Sequence, residues 1–283
     1  IVKVLEANGV AILNYDDKIV LDMKNKTKGH VFTFGFEKGS TIRALEEKSV
    51  FCIPEDDDDF CGVSFKVESD NRVVPVRLRN VYGKPPAYAA LAAFAVGKAI
   101  GMNLIEIAEA LKGYKSPKGR MHLIEGMRES LILDDTYNAS PMAVMSALDV
   151  LKNMPAKRRI VALGDMKELG KYSEEAHEMI GREVAKIADL IFVVGEQSKL
   201  IAKVAIKEGF AKENIYEFMH SIDAGRSLNG IVEKDDLILV KGSQSMRMEL
   251  VVEDIMAHPK KRKNLLVRQD WPWRDKNGNP RLI

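Results

Sequence analysis

From Ser130 onward the chain alternates short apolar runs with capped helical stretches, and this alternation constrains the fold more than any other feature. Residues 130–134, 159–163, 190–194, 214–218 and 237–240 read as strands. Between them, Ser140 places Pro141 at the first position of a helix reaching Leu151. Further helices open at Ser173-Glu174-Glu175, near Gln197, at Ser221 and at Ser245, the last reaching Met256. Strands joined through helices imply a parallel sheet with helices on both faces, because a parallel crossover has to travel back along the sheet. Ligands of such sheets sit beyond the carboxyl ends of the strands. Attention therefore falls on the loops 134–140, 164–172, 195–198 and 241–245.

The preceding part has a different rhythm. Residues 10–13 form a short apolar run, and 30–36 alternate as a strand does. Residues 62–68 and 72–79 alternate as well, and the polar Ser69-Asp70-Asn71 between them predicts a hairpin. The period then lengthens. Residues 87–100 are Ala-rich and helical, and Asn103 with Glu106 has capping-box spacing for a second helix to about Leu111. Residues 113–119, with Pro117, read as a linker. The expected organisation is one domain over 1–116, a second over 117–258, and a basic, Trp-containing tail over 259–283 with no assigned place.

Composition narrows the function. The net charge is +2, from 43 basic and 41 acidic residues, and gives no electrostatic case for nucleic acid. The longest apolar stretch, 87–96, is shorter than the roughly 20 residues of a membrane span. The chain opens on Ile-Val-Lys, without Met or a signal pattern, which suggests a fragment or a processed product. Cys52 and Cys61 are too few for a disulfide scaffold and point to a reduced, cytoplasmic setting. Asp56-Asp57-Asp58-Asp59 reads as a solvated loop, with cation binding as the other reading. The histidines are scattered, so no metal site is expected, and His177 reads as a helix-face residue supporting a nearby loop. Neither a Gly-x-x-x-x-Gly-Lys-Ser/Thr loop nor a Gly-x-Gly-x-x-Gly motif occurs.

Four segments can carry chemistry, each with a plainer reading. Arg120, beside the linker, can clamp a phosphate or be an ordinary surface arginine. Asp134-Asp135 at a strand end can hold ribose hydroxyls or a cation, or cap the next helix. Residues 163–170, Leu-Gly-Asp-Met-Lys-Glu-Leu-Gly, put charges between glycines that permit close approach of a ligand, or form a tight turn. Residues 241–247, Lys-Gly-Ser-Gln-Ser-Met-Arg, offer cations and backbone N–H groups to a carboxylate, or cap a helix.

Taken in order, the Asn14-Tyr15-Asp16-Asp17 strand end, the Ala-rich helix, Gly119-Arg120, residues 134–141 (Asp-Asp-Thr-Tyr-Asn-Ala-Ser-Pro), residues 163–170 and Lys241-Gly242-Ser243 resemble the Mur ligases over nearly the whole chain. The resemblance implies an α/β chain, a partial central ATPase domain followed by a Rossmann-like parallel-sheet C-terminal domain. It places the family's phosphate loop, carbamoylated lysine and Mg2+ ligands upstream of these residues. It implies ATP-dependent amide bond formation. The carboxylate of a UDP-N-acetylmuramoyl-tripeptide becomes an acyl phosphate, and the amine of D-Ala-D-Ala attacks it. By the same resemblance Arg120 reaches the ATP phosphates and Asp135 the ribose, with Tyr137 and Asn138 on the nucleotide side. Lys167 faces the reaction centre, and Asp165, Lys241, Ser243 and Arg247 lie toward the substrates. Residues 83–89 depart from the family's Gly-x-His-Asn-x-x-Asn, with Pro85, Pro86 and Ala89 at its polar positions, and Gln244 stands where arginine is frequent. A sibling ligase with another amine substrate and a degenerate binding module are the alternatives.

Overall fold

The structure is a computed structural model that describes residues 2–50 and 62–281. Cys52, Cys61 and the acidic run Asp56 to Asp59 lie outside the described residues. The chain divides into two compact units, Ile1–Lys115 and Ser116–Ile283.

The first unit holds a five-stranded sheet in the order β1 (Val10–Asn14), β2 (His30–Gly35), β3 (Ile42–Val50), β4 (Gly62–Ser69) and β5 (Arg72–Arg79). β1, β2 and β3 run parallel, and β3, β4 and β5 antiparallel. The hairpin between β4 and β5 turns on Asp70 and Asn71, both left-handed at φ 49° and 59°, the conformation that matches the twist of a two-residue hairpin. Alternation in β4 and β5 puts Val63, Phe65, Val67, Val76 and Leu78 inside. A short helix α1 (Lys18–Asp22) follows β1, capped by the Asp17 carboxylate. Helix α2 (Lys84–Ala99) packs Leu91, Phe94 and its buried alanines against the sheet. Helix α3 (Leu104–Leu111) starts in the expected capping box, Asn103 with Glu106. Strand β3 escapes the sequence pattern because its pairing with β4 shifts register between Leu45 and Lys48, which breaks the alternation.

The second unit is a six-stranded sheet flanked by helices. In chain order it runs β6 (His122–Glu125), β7 (Leu131–Asp135), α4 (Pro141–Asn153), β8 (Arg158–Gly164), α5 (Ser173–Ile187), β9 (Leu190–Val194), α6 (Lys199–Lys207), β10 (Ile215–Phe218), α7 (Ser221–Ile231), β11 (Asp236–Lys241) and α8 (Glu249–Ile255). The spatial order is β10-β9-β8-β11-β7-β6, parallel except for β6 at the edge. β11 therefore lies between β7 and β8, with Lys241 in register with both Asp135 and Leu163. α7 and α8 cover one face through Ala224, Leu228, Met248, Val251, Val252 and Ile255, against Ile132, Ile160, Phe192 and Ile238. The alternate residues Leu133, Val161, Ile191 and Leu239 are equally buried, so the other face is covered too, and α4, α5 and α6 pack side by side. At the amino end of β11, Asp236 takes both branches of the Arg158 guanidinium at 2.8 and 2.7 Å.

The helix expected to run from Ser245 to Met256 starts later. Residues Gln244–Met246 form one tight turn, Arg247 is left-handed at φ 55°, and α8 begins at Glu249. The interruption follows from Ser243, whose N–H is held by the Asp165 carbonyl. The tail has a definite place. Its short helix α9 (Arg262–Leu265) and residues 266–281 belong to the second unit. No helix among the described residues is long and apolar enough to cross a membrane.

Candidate functional site

The carboxyl ends of β7, β8 and β11 adjoin in the sheet, and their loops are stitched to one another. Asp135, the last residue of β7, is buried and accepts from Lys241 Nζ at 2.5 Å and from the Met121 N–H at 3.1 Å. Lys241, the last residue of β11, also donates to the Asn138 carbonyl at 2.9 Å. Register explains the pair, since neighbouring in-register residues of parallel strands point to the same face.

Asp134 points to the opposite face, toward α8. Its Oδ1 accepts from Thr136 Oγ1 at 2.6 Å, while Oδ2 has no hydrogen-bond partner. Burial pushes this carboxyl up to about 7, against the opposing pull of its bonds to Thr136.

The loop after β8 is fixed from three sides. Asp165 is buried, with Oδ1 accepting from the Ser198 N–H at 2.7 Å and Oδ2 from Lys167 Nζ at 2.8 Å. Gly195 makes room for that carboxylate, because a Cβ there would come within 2.5 Å of it. The Lys167 N–H donates to Ser243 Oγ at 2.8 Å, and the Ser243 N–H to the Asp165 carbonyl at 3.0 Å, tying the β8 and β11 loops together. From below, His177 Nε2 accepts from the Met166 N–H at 3.1 Å. An amide can only donate, so His177 Nδ1 carries the proton and donates to the Ser173 carbonyl at 2.7 Å. The expectation that His177 supports a nearby loop agrees with this geometry.

Above the stitched loops opens a pocket of about 480 Å³ lined by Asn138, Ala139, Ser140, Lys167, Glu168, Leu169, Ser243, Gln244, Ser245, Arg247 and Trp273. Asn138, Lys167, Ser243 and Arg247 thus come together at one cavity. Asp135, Asp165 and Lys241 lie buried just behind it and hold its loops, and are not among its lining residues. Arg120 and Tyr137 do not line it either. The Arg120 guanidinium stacks over the exposed Tyr137 ring at 4.1 Å. Gly119, left-handed at φ 66°, permits this, since a Cβ there would lie 3.0 Å from the Tyr137 nitrogen. Arg247 is buried and largely committed. Nε donates to Glu249 Oε1 at 2.6 Å, Nη1 to the Arg281 carbonyl at 2.5 Å and Nη2 to the Trp273 carbonyl at 3.3 Å.

Glu249, Arg268 and Trp273 were not singled out from the sequence. Two Arg–Glu–Arg triads clamp the tail onto α8. Glu249 sits between Arg247 and Arg268, and Glu253, one turn later, between Arg262 and Arg274. Arg268 also donates to the Thr136 and Tyr137 carbonyls, joining the tail to the loop after β7. The density of arginine and tryptophan in 262–274 was the available signal.

A Rossmann-like sheet whose strand-end loops build a polar pocket defines a nucleotide- or substrate-handling α/β domain, and comparison with known proteins gives its kind. Residues 119–244 match the family model described as Mur ligase, glutamate ligase domain. Among curated relatives it is 32% identical over 257 residues to the UDP-N-acetylmuramoyl-tripeptide–D-alanyl-D-alanine ligase of Escherichia coli (strain K12), covering 90% of this chain and 53% of that protein. Among solved structures it is similar to MurF from Acinetobacter baumannii, with TM-score 0.74 and 26% identity over 89% of this chain and 52% of that one. The MurF ligase of Thermotoga maritima in complex with ADP shares the fold, with TM-score 0.72 and 22% identity over 92% of this chain and 56% of that one. The chain spans about half the length, or less, of the curated relatives it matches.

Proposed function

We propose that this chain supplies the C-terminal half of an ATP-dependent ligase that joins D-Ala-D-Ala to UDP-N-acetylmuramoyl-tripeptide through an acyl phosphate. The observation that carries the reading is the pocket at the junction of the β8 and β11 loops, built from the two segments that also carry the family resemblance. Its lining suits a dipeptide. Asn138, Ser140, Ser243, Gln244 and Ser245 offer hydrogen bonds, and Lys167, the more exposed cation of the lining, offers positive charge for a carboxylate. Lys167, oriented by the buried Asp165, stands where it can balance the charge of an acyl phosphate. Arg120, stacked on Tyr137, presents a guanidinium suited to ATP phosphates. Asp135 holds Lys241 and through it the Asn138 carbonyl, so in this reading its part in nucleotide binding is to shape the loop.

Among the described residues no group of three or more His, Cys, Asp or Glu side chains is placed to hold a metal ion. These residues do not fit a magnesium site of their own.

The test is phosphate release by the complete gene product given ATP, magnesium, UDP-N-acetylmuramoyl-tripeptide and an amine. Release with D-Ala-D-Ala and none with single amino acids is expected. Turnover with a single amino acid in place of the dipeptide would assign the chain to a sibling ligase. The 283 residues alone are expected to release no phosphate above background, because they contain no Gly-x-x-x-x-Gly-Lys-Ser/Thr loop to cradle it.

A further inference from the structure

The family match ends at Gln244, yet the pocket is completed by a residue well beyond it, Trp273. Among the described residues that line the cavity, Trp273 is the one aromatic, and its apolar companions are the smaller Ala139 and Leu169. The remaining lining is polar or charged. A dipeptide placed there would find hydrogen bonds and countercharge for its two ends, but little apolar surface for its side chains apart from this ring.

The ring is held in place. Arg247 faces it at 5.1 Å and Arg268 at 5.9 Å. The Trp273 carbonyl accepts from Arg247, and the Trp273 N–H is bound by the Asp270 carbonyl at 2.9 Å. The next residue, Arg274, is 3% exposed and bound to Glu253 and, at 2.8 Å, to the Gly278 carbonyl. Cation–ring contacts, backbone bonds and the clamp on α8 leave the wall little room to retreat from a large ligand. Trp271, two residues away, is 74% exposed and does not line the pocket.

We infer that Trp273 is a specificity-determining residue: the tail closes the pocket with a fixed aromatic wall that packs against small apolar side chains of the incoming dipeptide and turns away bulky ones. This rests on the reading of the pocket as the amine-component site. A methyl group fits between such a wall and the polar lining. An aromatic side chain would have to displace a ring faced by both arginines of the Glu249 triad.

The chain's two tryptophans make the test direct. Indole and amide resonances of the isotope-labelled 283-residue chain are followed by NMR while D-Ala-D-Ala, glycylglycine or D-Phe-D-Phe is added, with Trp271→Phe used to assign the indoles. The Trp273 indole should move with D-Ala-D-Ala and the Trp271 indole should not. Trp273→Ala should weaken D-Ala-D-Ala by about tenfold, equivalent to losing one good aromatic contact. Trp273→Phe, which keeps a ring, should restore most of that loss, and Trp273→Ala should gain affinity for D-Phe-D-Phe. Unchanged D-Ala-D-Ala affinity in Trp273→Ala, read from the Lys167 and Ser243 amides, would overturn the inference and leave the proposed function standing. If D-Ala-D-Ala moves none of the pocket amides of the unaltered chain, the amine-site reading fails and the inference falls with it.

Discussion

Lys241 Nζ lies 2.5 Å from Asp135 Oδ2, a buried ion pair across adjacent strands formed by residues that sequence reasoning assigns to two different ligands. Both side chains are almost wholly buried, so removing one partner strands the other charge in a low-dielectric interior. Lys241→Met is therefore expected to destabilise the second unit by roughly 3–5 kcal/mol. Asp135→Asn combined with Lys241→Met should recover much of the loss. Urea unfolding of the three variants checks this. A double variant no more stable than Lys241→Met would show that the pair is not what couples the two positions.

Asp134 makes stability depend on pH. Its folded value of about 7 lies above the ordinary 3.8, so between those values the unfolded chain has released a proton that the folded chain retains. Its contribution to stability is then greatest below about 4, falls as pH rises toward 7 and levels off above it. The whole decline amounts to a few kcal/mol, because each tenfold difference in proton affinity between the folded and unfolded chain is worth about 1.4 kcal/mol. Asp134→Asn should flatten that slope and raise the melting temperature at pH 8. An unaltered slope in the variant would assign the decline to another group.

Arg120 and Tyr137 can be separated by substitution. In the complete gene product, Arg120→Ala should weaken ATP by the value of a charge-assisted contact, roughly 1.5–3 kcal/mol, and leave the KM for D-Ala-D-Ala unchanged. Tyr137→Leu removes the ring beneath the guanidinium and should cost less, about 0.5–1 kcal/mol. Equal losses for ATP and dipeptide would point to a general disturbance of the loop.

The triads predict how the tail comes away. Arg268→Met leaves Glu249, which is fully buried, with Arg247 alone, and also removes the bonds to the Thr136 and Tyr137 carbonyls. Limited proteolysis should then cut within 266–281 at protease concentrations that leave the unaltered chain intact. Glu253→Gln should act the same way by weakening the hold on Arg262 and Arg274. Resistance equal to that of the unaltered chain in both variants would mean that backbone contacts hold the tail.

Much of this fold is legible in the sequence because the central strands of the second unit are dense apolar runs and its long helices have polar starts. Leu190–Val194 is such a run, buried on both faces, and is found where the pattern places it. β3 and β6 are not legible, one because its register shifts and the other because it is a four-residue edge strand. The site is legible as loops and less so as atoms. Chain order shows that residues 134–140, 164–172 and 241–245 share an edge. It does not show that Lys241 spends its charge on Asp135, because that follows from β11 lying between β7 and β8. The tail is illegible for a related reason, since its arginines have meaning only beside Glu249 and Glu253 on a helix that precedes them.

The position of β11 also sets an order of events during synthesis. β7 and β8 are made early, but they are not neighbours, and the strand that fills the gap between them is among the last to emerge. Asp135 waits 106 residues for its cation. Until then the facing edges of β7 and β8 are unpaired and the Lys167 amide has no Ser243 to meet. A ribosome that stalls just before β11 therefore leaves a nascent chain with α4 to α7 already made and no pocket at all. The site has no foundation until that six-residue strand arrives, and its wall is complete only once Trp273 has followed.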